Sequence, residues 1–295
     1  MSKNKKIIVT GGAGFVGTNL IKLLLKKTDF KIISIDNYTS GNKKNHIKSK
    51  RVKYLKANTL NISKLIKNPR EIKTVFHFGE FSRIYQSFLK MNMCISSNSI
   101  GSNAVFNFCL KNKIKLIYSA TSASLGNRGN DKNLSPYAFS KAKNLELLEN
   151  LKRWFNFKYE VIYFYNVYGP HQICNGPMST VIGIFEDHFK KNKALPVVKP
   201  GSQTRRFTHI NDTVETCYTA WKKNLCRHYS ISNKKSYSII DVAKMFNTRI
   251  KFLPKRKGER YASALTPSNL SNKIHKKFGK INLKNYIQNF IFNNT

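Results

Sequence analysis

The stretch Ile7-Ile8-Val9-Thr10-Gly11-Gly12-Ala13-Gly14-Phe15-Val16-Gly17 decides how this chain is read. A short apolar run ends at Thr10, Gly12-x-Gly14-x-x-Gly17 follows, and the apolar periodicity of a helix begins at once. The glycines permit a tight turn and a close backbone approach. The first N–H groups of the helix have no partner of their own, and with its positive dipole end they suit a pyrophosphate. Strand, glycine turn and helix together describe a cradle for a dinucleotide.

Working outward, apolar runs of strand length recur at Lys31 to Asp36, Val52 to Lys56, Thr74 to Phe78, Leu116 to Ser119 and Glu160 to Tyr165. Periodic stretches at Gly14 to Lys27, Asn61 to Lys67, Met91 to Asn112 and Pro136 to Phe155 read as helices between them. This alternation predicts an α/β fold, a doubly wound parallel sheet with helices on both faces. After Asn166 the alternation stops, and Gly169-Pro170 and Asn175-Gly176-Pro177 punctuate the change. The expected division is a dinucleotide-binding domain over residues 1–166 and a smaller, irregular cap over 167–295, with some segments interleaved with the sheet.

Asp36 closes the second strand nineteen residues after Gly17. An acid there accepts from a ribose hydroxyl and repels a 2′-phosphate, which favours NAD over NADP. Alone, Asp36-Asn37 also reads as an Asx turn.

Tyr137 and Lys141 lie four apart at the start of a helix and so share one face. A phenol with an ordinary pKa of about 10 needs a neighbouring positive charge to act as a base at neutral pH. Lys141 and an oxidised nicotinamide are expected to provide it. Thr121 follows a strand at the carboxyl edge of the sheet, sixteen residues before Tyr137, and its hydroxyl can bond the reacting oxygen. A buried helix face and a polar turn would explain the same residues without chemistry.

The composition suits a large globular core, with 295 residues of which 41% are hydrophobic. No apolar run approaches the roughly 18 residues needed to cross a bilayer. The start Met1-Ser2-Lys3-Asn4-Lys5-Lys6 leads directly into the first strand, so no signal peptide is expected. Five scattered cysteines without metal-ligand spacing point to reduced thiols, no metal site and a cytoplasmic protein. The formal charge of +39 raises the question of nucleic acid. The lysines are spread along the chain rather than gathered, so a nucleic-acid partner is not expected.

With these residues in place the chain resembles the extended short-chain dehydrogenase/reductase family, and within it the nucleotide-sugar epimerases of the UDP-glucose 4-epimerase type. The matching pieces are Thr10 to Gly17, Asp36-Asn37 with Ser40-Gly41, Phe76 to Gly79, Tyr118 to Gly126, Ser135-Pro136-Tyr137 with Lys141, Asn166 to Pro170, and Gln203 to Asp212. The resemblance implies that Gly11, Gly14, Phe15, Val16 and Gly17 hold the cofactor pyrophosphate and that Asp36 and Asn37 hold the adenosine ribose. Asn58 and Thr59 stand where relatives carry an acid near adenine. Phe78 and Gly79 lie under the cofactor, and Lys141 also binds the nicotinamide ribose. Thr121 and Tyr137 touch the sugar hydroxyl. Asn166, Arg205 and Arg256 contact the substrate diphosphate, and Ser82 and Arg83 lie near the sugar. Glu80 and Arg83 depart from the family's small-residue pattern there, and Arg206 stands where an aspartate is common. A homodimer through the helices at Met91 to Asn112 and Pro136 to Phe155 is implied as well.

The implied reaction is proton removal by Tyr137 with hydride transfer to NAD, then return of the hydride to the other face of the keto sugar. Related dehydratases carry an acid directly after the Ser/Thr position, whereas this chain reads Thr121-Ser122-Ala123-Ser124. The expectation is therefore an NAD-dependent nucleotide-sugar 4-epimerase. The alternatives are a dehydratase or reductase of the same family, and a non-catalytic protein of this fold that binds RNA.

Overall fold

The computed structural model describes residues 5–125, 133–259, 261–262 and 279–294. Gly126, the end of one matching piece, lies outside the described residues.

Strands of the main sheet carry runs such as Ile7-Ile8-Val9, Leu116-Ile117-Tyr118 and Val161-Ile162, all fully buried. Unbroken apolar runs of this kind belong to parallel strands covered on both faces. The strands are β1 (Lys6–Thr10), β2 (Lys31–Asp36), β3 (Val52–Lys56), β4 (Ile72–His77), β5 (Lys115–Thr121) and β6 (Tyr159–Phe164). A smaller group follows, with β7 (Asn166–Tyr168), β8 (Leu195–Val198) and β9 (Thr204–His209), and then β10 (His228–Ile231), β11 (Ser236–Ser238) and β12 (Ile250–Leu253).

The main sheet has the order β10-β6-β5-β4-β1-β2-β3, with every pairing parallel. Chain growth reverses at β1, which lies between β2 and β4. In an open parallel sheet the carboxyl ends of the strands at such a reversal border the ligand crevice. Thr10, at the end of β1, pairs with Ile35 on one side and His77 on the other.

Helices cover both faces. On one side α1 (Phe15–Lys27) packs with α8 (Ile210–Lys223), and Leu20, Ile21 and Leu24 join Val214, Cys217 and Trp221 in one core cluster. On the other, α2 (Ile62–Leu65), α5 (Ser102–Lys111) and α6 (Pro136–Phe155) bury Ile62, Phe106, Phe108, Cys109, Leu148 and Leu151. At roughly 1.5–3 kcal/mol for each fully buried large aliphatic or phenylalanine side chain, these two clusters hold the layers together. Helix α6 starts where its sequence dictates, since Ser135 Oγ accepts from the Ala138 N–H at 3.1 Å and Pro136 occupies the first turn.

Three features differ from the sequence reading. The expected helix at Met91 to Asn112 is broken into α4 (Met91–Ile95), a π-helical segment Ser96–Gly101, and α5. The π segment places Asn98 so that its side chain accepts from the Phe81 N–H at 2.7 Å and donates to the Phe81 carbonyl at 3.0 Å. Ahead of it lies an unexpected helix, α3 (Ile84–Leu89). The third difference is a seventh strand, β10, which returns from beyond residue 167 to pair with β6, with α8 packed behind it. A four-residue strand leaves too short a pattern to be read from sequence.

The remaining elements, β7, β9 and β11 with the pair β8 and β12, α7 (Val181–Lys190), α9 (Ile239–Lys244) and the final helix Leu283–Phe292, enclose their own apolar cluster around Phe185, Phe207 and Phe246.

Candidate active site

The glycine turn is closed by its own backbone. Gly11 adopts φ +69°, and a Cβ on Gly17 would lie 2.1 Å from the Gly11 carbonyl oxygen. Only glycine satisfies both positions. The turn brings backbone N–H groups to the start of α1, and Asp36 sits beneath it. Asp36 Oδ2 accepts from the Ala13 N–H at 3.0 Å and Oδ1 from the Tyr38 N–H at 2.8 Å. Burial raises the Asp36 pKa while these backbone bonds oppose the rise. The bonds fix the carboxylate at the end of β2, with lone pairs remaining for a ribose hydroxyl. A Cβ-tight cradle and an oriented acid fit an NAD molecule.

Thr121 ends β5, and Tyr137 stands on the first turn of α6. The Thr121 hydroxyl oxygen accepts from the Ala123 N–H at 3.2 Å and is hydrogen-bonded to the Tyr137 side chain. Burial pushes the Tyr137 pKa up to about 12, the Thr121 bond lowers it, the Glu80 charge raises it and the Arg83 charge lowers it.

Here the structure corrects the simple electrostatic reading of Tyr137 and Lys141. Lys141 Nζ is bonded to the Glu80 carboxylate and the Ser119 carbonyl, and lies 4.6 Å over the Tyr118 ring. Burial lowers its pKa and Glu80 opposes that. The lysine charge is thus balanced by a carboxylate before it reaches the tyrosine. From sequence Glu80 stands out only as a departure from the family pattern; an acid between Gly79 and Phe81, directly after an apolar strand, was the available signal.

Arg83 closes the opposite wall. Its Nε donates to the carbonyls of Met178 at 2.9 Å and Ser179 at 3.2 Å, and Nη1 to that of Ser82 at 2.8 Å. It ties the loop before α7 to the loop after β4 and leaves its cation beside Tyr137. Asn166 Nδ2 donates to the Arg206 carbonyl at 3.2 Å, and Arg205 is paired with Glu259.

One cavity of about 400 Å³ follows the carboxyl ends of the strands from the glycine turn past Tyr137 to Arg205. It is lined by Gly11, Gly14, Phe15, Val16, Gly17, Asp36, Asn37, Asn58, Thr59, Phe78 and Gly79 at the cofactor end. Ser82, Arg83, Thr121, Tyr137, Lys141, Asn166 and Arg205 line its middle and far end. Of the candidate catalytic, cofactor-binding and substrate-binding residues, Arg256 alone is outside it. Arg256 is exposed and stacks 5.4 Å over the Tyr85 ring. Gly258, in the same turn, meets Phe88 of α3, and Glu259 rather than Arg256 faces the cavity wall at Arg205.

The fold and cavity define an enzyme that holds a dinucleotide beside a tyrosine and a lysine. The model of the NAD dependent epimerase/dehydratase family matches residues 7–232, and the chain belongs to that family. It is an NAD-dependent enzyme of the extended short-chain dehydrogenase/reductase type, and its cofactor is NAD. The chain is 28% identical over 233 residues to a putative UDP-glucose 4-epimerase of Methanocaldococcus jannaschii, covering 74% of this chain and 75% of that protein. It is 30% identical over 225 residues to the ADP-L-glycero-D-manno-heptose-6-epimerase of Brachyspira hyodysenteriae, covering 70% and 69%. The UDP-glucose 4-epimerase of Thermus thermophilus, solved in complex with NAD, superposes with a TM-score of 0.84 at 21% identity over 98% of both chains.

Proposed function

We propose that the protein is a 4-epimerase of a nucleotide diphosphate sugar. The observation that carries this reading is the placement of acids in the cavity. Thr121 is followed by the buried turn Ser122–Leu125, which offers hydroxyls and no carboxylate. Among the described lining residues the acids are Asp36, at the adenosine end, and Glu80, already bonded to Lys141. Dehydration needs a further acid or base beside the sugar, besides the tyrosine, to remove water, and inversion at one carbon does not.

NAD, when bound, supplies the acceptor and later the donor of the hydride. Tyr137 takes the proton of the sugar hydroxyl at its phenolic oxygen, with Thr121 donating to the same oxygen to favour its charged form. The 4-keto sugar that results turns over within the cavity, and Tyr137 returns the proton when the second face has been reduced. Lys141 would hold the nicotinamide ribose, and Asn166 and Arg205 would take the diphosphate, where a guanidinium fork suits phosphate oxygens. Residues 1–166 supply most of the cofactor site and residues 167–295 most of the substrate wall.

Several apolar side chains are exposed on α4, the π segment and α6, among them Met91, Met93, Ile100 and Phe139. This is the surface expected to pair two copies, and sedimentation of the purified chain at about 2 × 34.0 kDa would support the homodimer. The five free thiols suit a reducing, cytoplasmic compartment. No described helix is long and apolar enough to cross a membrane.

The test is incubation with UDP-sugars, following C4 epimers by NMR. Interconversion without net NADH is the expected result. A 4-keto-6-deoxy product would establish a dehydratase instead.

A further inference from the structure

Glu80 takes no part in the proton and hydride steps, yet its side chain is 2% exposed and fully engaged. One carboxylate oxygen receives Lys141 Nζ. The other receives Ser102 Oγ at 2.7 Å, Tyr118 Oη at 3.1 Å and Asn144 Nδ2 at 3.2 Å.

The direction of the bonds beyond it can be worked out. A carboxylate only accepts, so the Ser102 proton points to Glu80 and the Ser102 oxygen must accept from His77 Nε2, 2.9 Å away. His77 then carries its proton on Nε2, and its Nδ1 accepts from the Thr10 hydroxyl at 2.7 Å. The Thr10 oxygen accepts in turn from the N–H groups of Phe78 at 3.0 Å and Gly79 at 2.9 Å. An ordered chain therefore runs from the residue before the glycine turn to the lysine.

The groups facing Lys141 come from every element around it. They are His77 from β4, Glu80 from the loop after β4, Tyr118 and the Ser119 carbonyl from β5, and Cys94 from α4. Tyr137 stands one turn before it on α6. Burial holds His77 down at about 4, pushes Cys94 up to about 11 and Tyr137 up to about 12, and raises Tyr118 well above its ordinary value. All four are uncharged near neutrality. Among the described residues Glu80 is the anion that faces the buried ammonium.

We propose that Glu80 is a positioning residue acting through Lys141: it keeps the lysine protonated and aimed along the sheet edge, and couples it through Ser102, His77 and Thr10 to the glycine cradle. The proposal rests on the reading of Lys141 as a cofactor-binding catalytic side chain. Burial without a partner favours the uncharged amine. Without Glu80, Lys141 loses its proton as pH rises through a lowered pKa, and cofactor binding that uses the ammonium weakens with it.

The test uses the full chain, the variants Glu80→Gln, Lys141→Met and their double, thermal unfolding, and calorimetric NAD binding on the two sides of neutrality, at about pH 6 and about pH 9, since a lowered lysine loses its proton toward the higher. Each single variant is expected to lose stability and the double variant to recover most of it, because a buried charge left alone costs more than a neutral pair. Glu80→Gln is expected to bind NAD nearly as the parent does at the lower pH and several-fold more weakly at the higher, because the lysine that has lost its carboxylate partner gives up its proton more readily. Ser102→Ala, which removes no charge, is expected to shift NAD affinity in the same direction by less, and serves if Glu80→Gln does not fold. Additive stability losses, or an affinity ratio to the parent that is independent of pH, would overturn the proposal. Undiminished NAD binding by Lys141→Met would instead overturn the underlying reading of Lys141, while the stability cycle still reported the pair.

Discussion

Arg205 and Glu259 form an ion pair on the wall of the cavity, joining the start of β9 to the turn after β12. Glu259 thereby holds the guanidinium where a diphosphate is expected to lie. Arg205→Ala is expected to raise KM for the nucleotide sugar roughly ten- to a hundredfold, the scale of a lost charged hydrogen bond, with a smaller effect on kcat. Glu259→Gln keeps the guanidinium and loosens it, so a KM rise of roughly two- to fivefold is expected. Steady-state kinetics with both variants checks the order of the two effects.

Tyr137→Phe removes the oxygen proposed to carry the proton and leaves the ring in its buried place. Turnover is expected to fall roughly 10²- to 10⁴-fold, the range of a lost general base. The melting temperature and NAD affinity should stay near those of the parent. Retained turnover would mean that another group moves the proton.

The pH dependence has a defined sign. With Tyr137 as the proposed base, and burial pushing its pKa up to about 12, activity should rise with pH on the acid limb. The Thr121 hydroxyl lowers that pKa. Thr121→Ala should therefore move the limb toward higher pH and lose more activity at neutral than at alkaline pH. A rate profile of kcat/KM against pH for parent and variant measures the displacement.

Gly17→Ala places a methyl group 2.1 Å from the Gly11 carbonyl oxygen. Backbone must move to relieve this, at a cost of about 1–3 kcal/mol or more. Loss of NAD binding is the expected outcome, with far-UV circular dichroism close to the parent. An unaltered affinity would show that the turn relaxes without disturbing the cradle.

Tyr229 is buried on β10, and its hydroxyl finds no hydrogen-bond partner among the described residues. Tyr229→Phe removes an unsatisfied polar group and keeps the ring. An increase of about 1 kcal/mol in unfolding free energy is expected from denaturant titration.

Much of the main sheet was legible because its signals are local. β1, β2 and β3 run over the residues expected, and Gly12, Gly14 and Gly17 mark a turn whose chemistry needs no distant partner. Tyr137 and Lys141 were legible by helical spacing, and Thr121 by its place after a strand. The seventh strand was not, because His228–Ile231 becomes a strand by pairing with β6, where His228 meets Val161 and Ile231 meets Phe164, far back along the chain. The break in the helix after Met91 was hidden for a similar reason. Asn98 takes its place there by bonding Phe81, which comes from another element.

The sequence by itself determined the alternating pattern of a doubly wound sheet, the glycine cradle with its acid at Asp36, and the tyrosine and lysine on one helix face. Each depends on spacings of a few residues or on a backbone conformation that few residue types allow. Only the tertiary structure decided where the charges go. It turned Lys141 toward Glu80, set Arg83 beside Tyr137, paired Arg205 with Glu259 and left Arg256 stacked on Tyr85 outside the cavity. Charge pairing follows distance and burial in three dimensions, and the order of residues along a chain specifies neither.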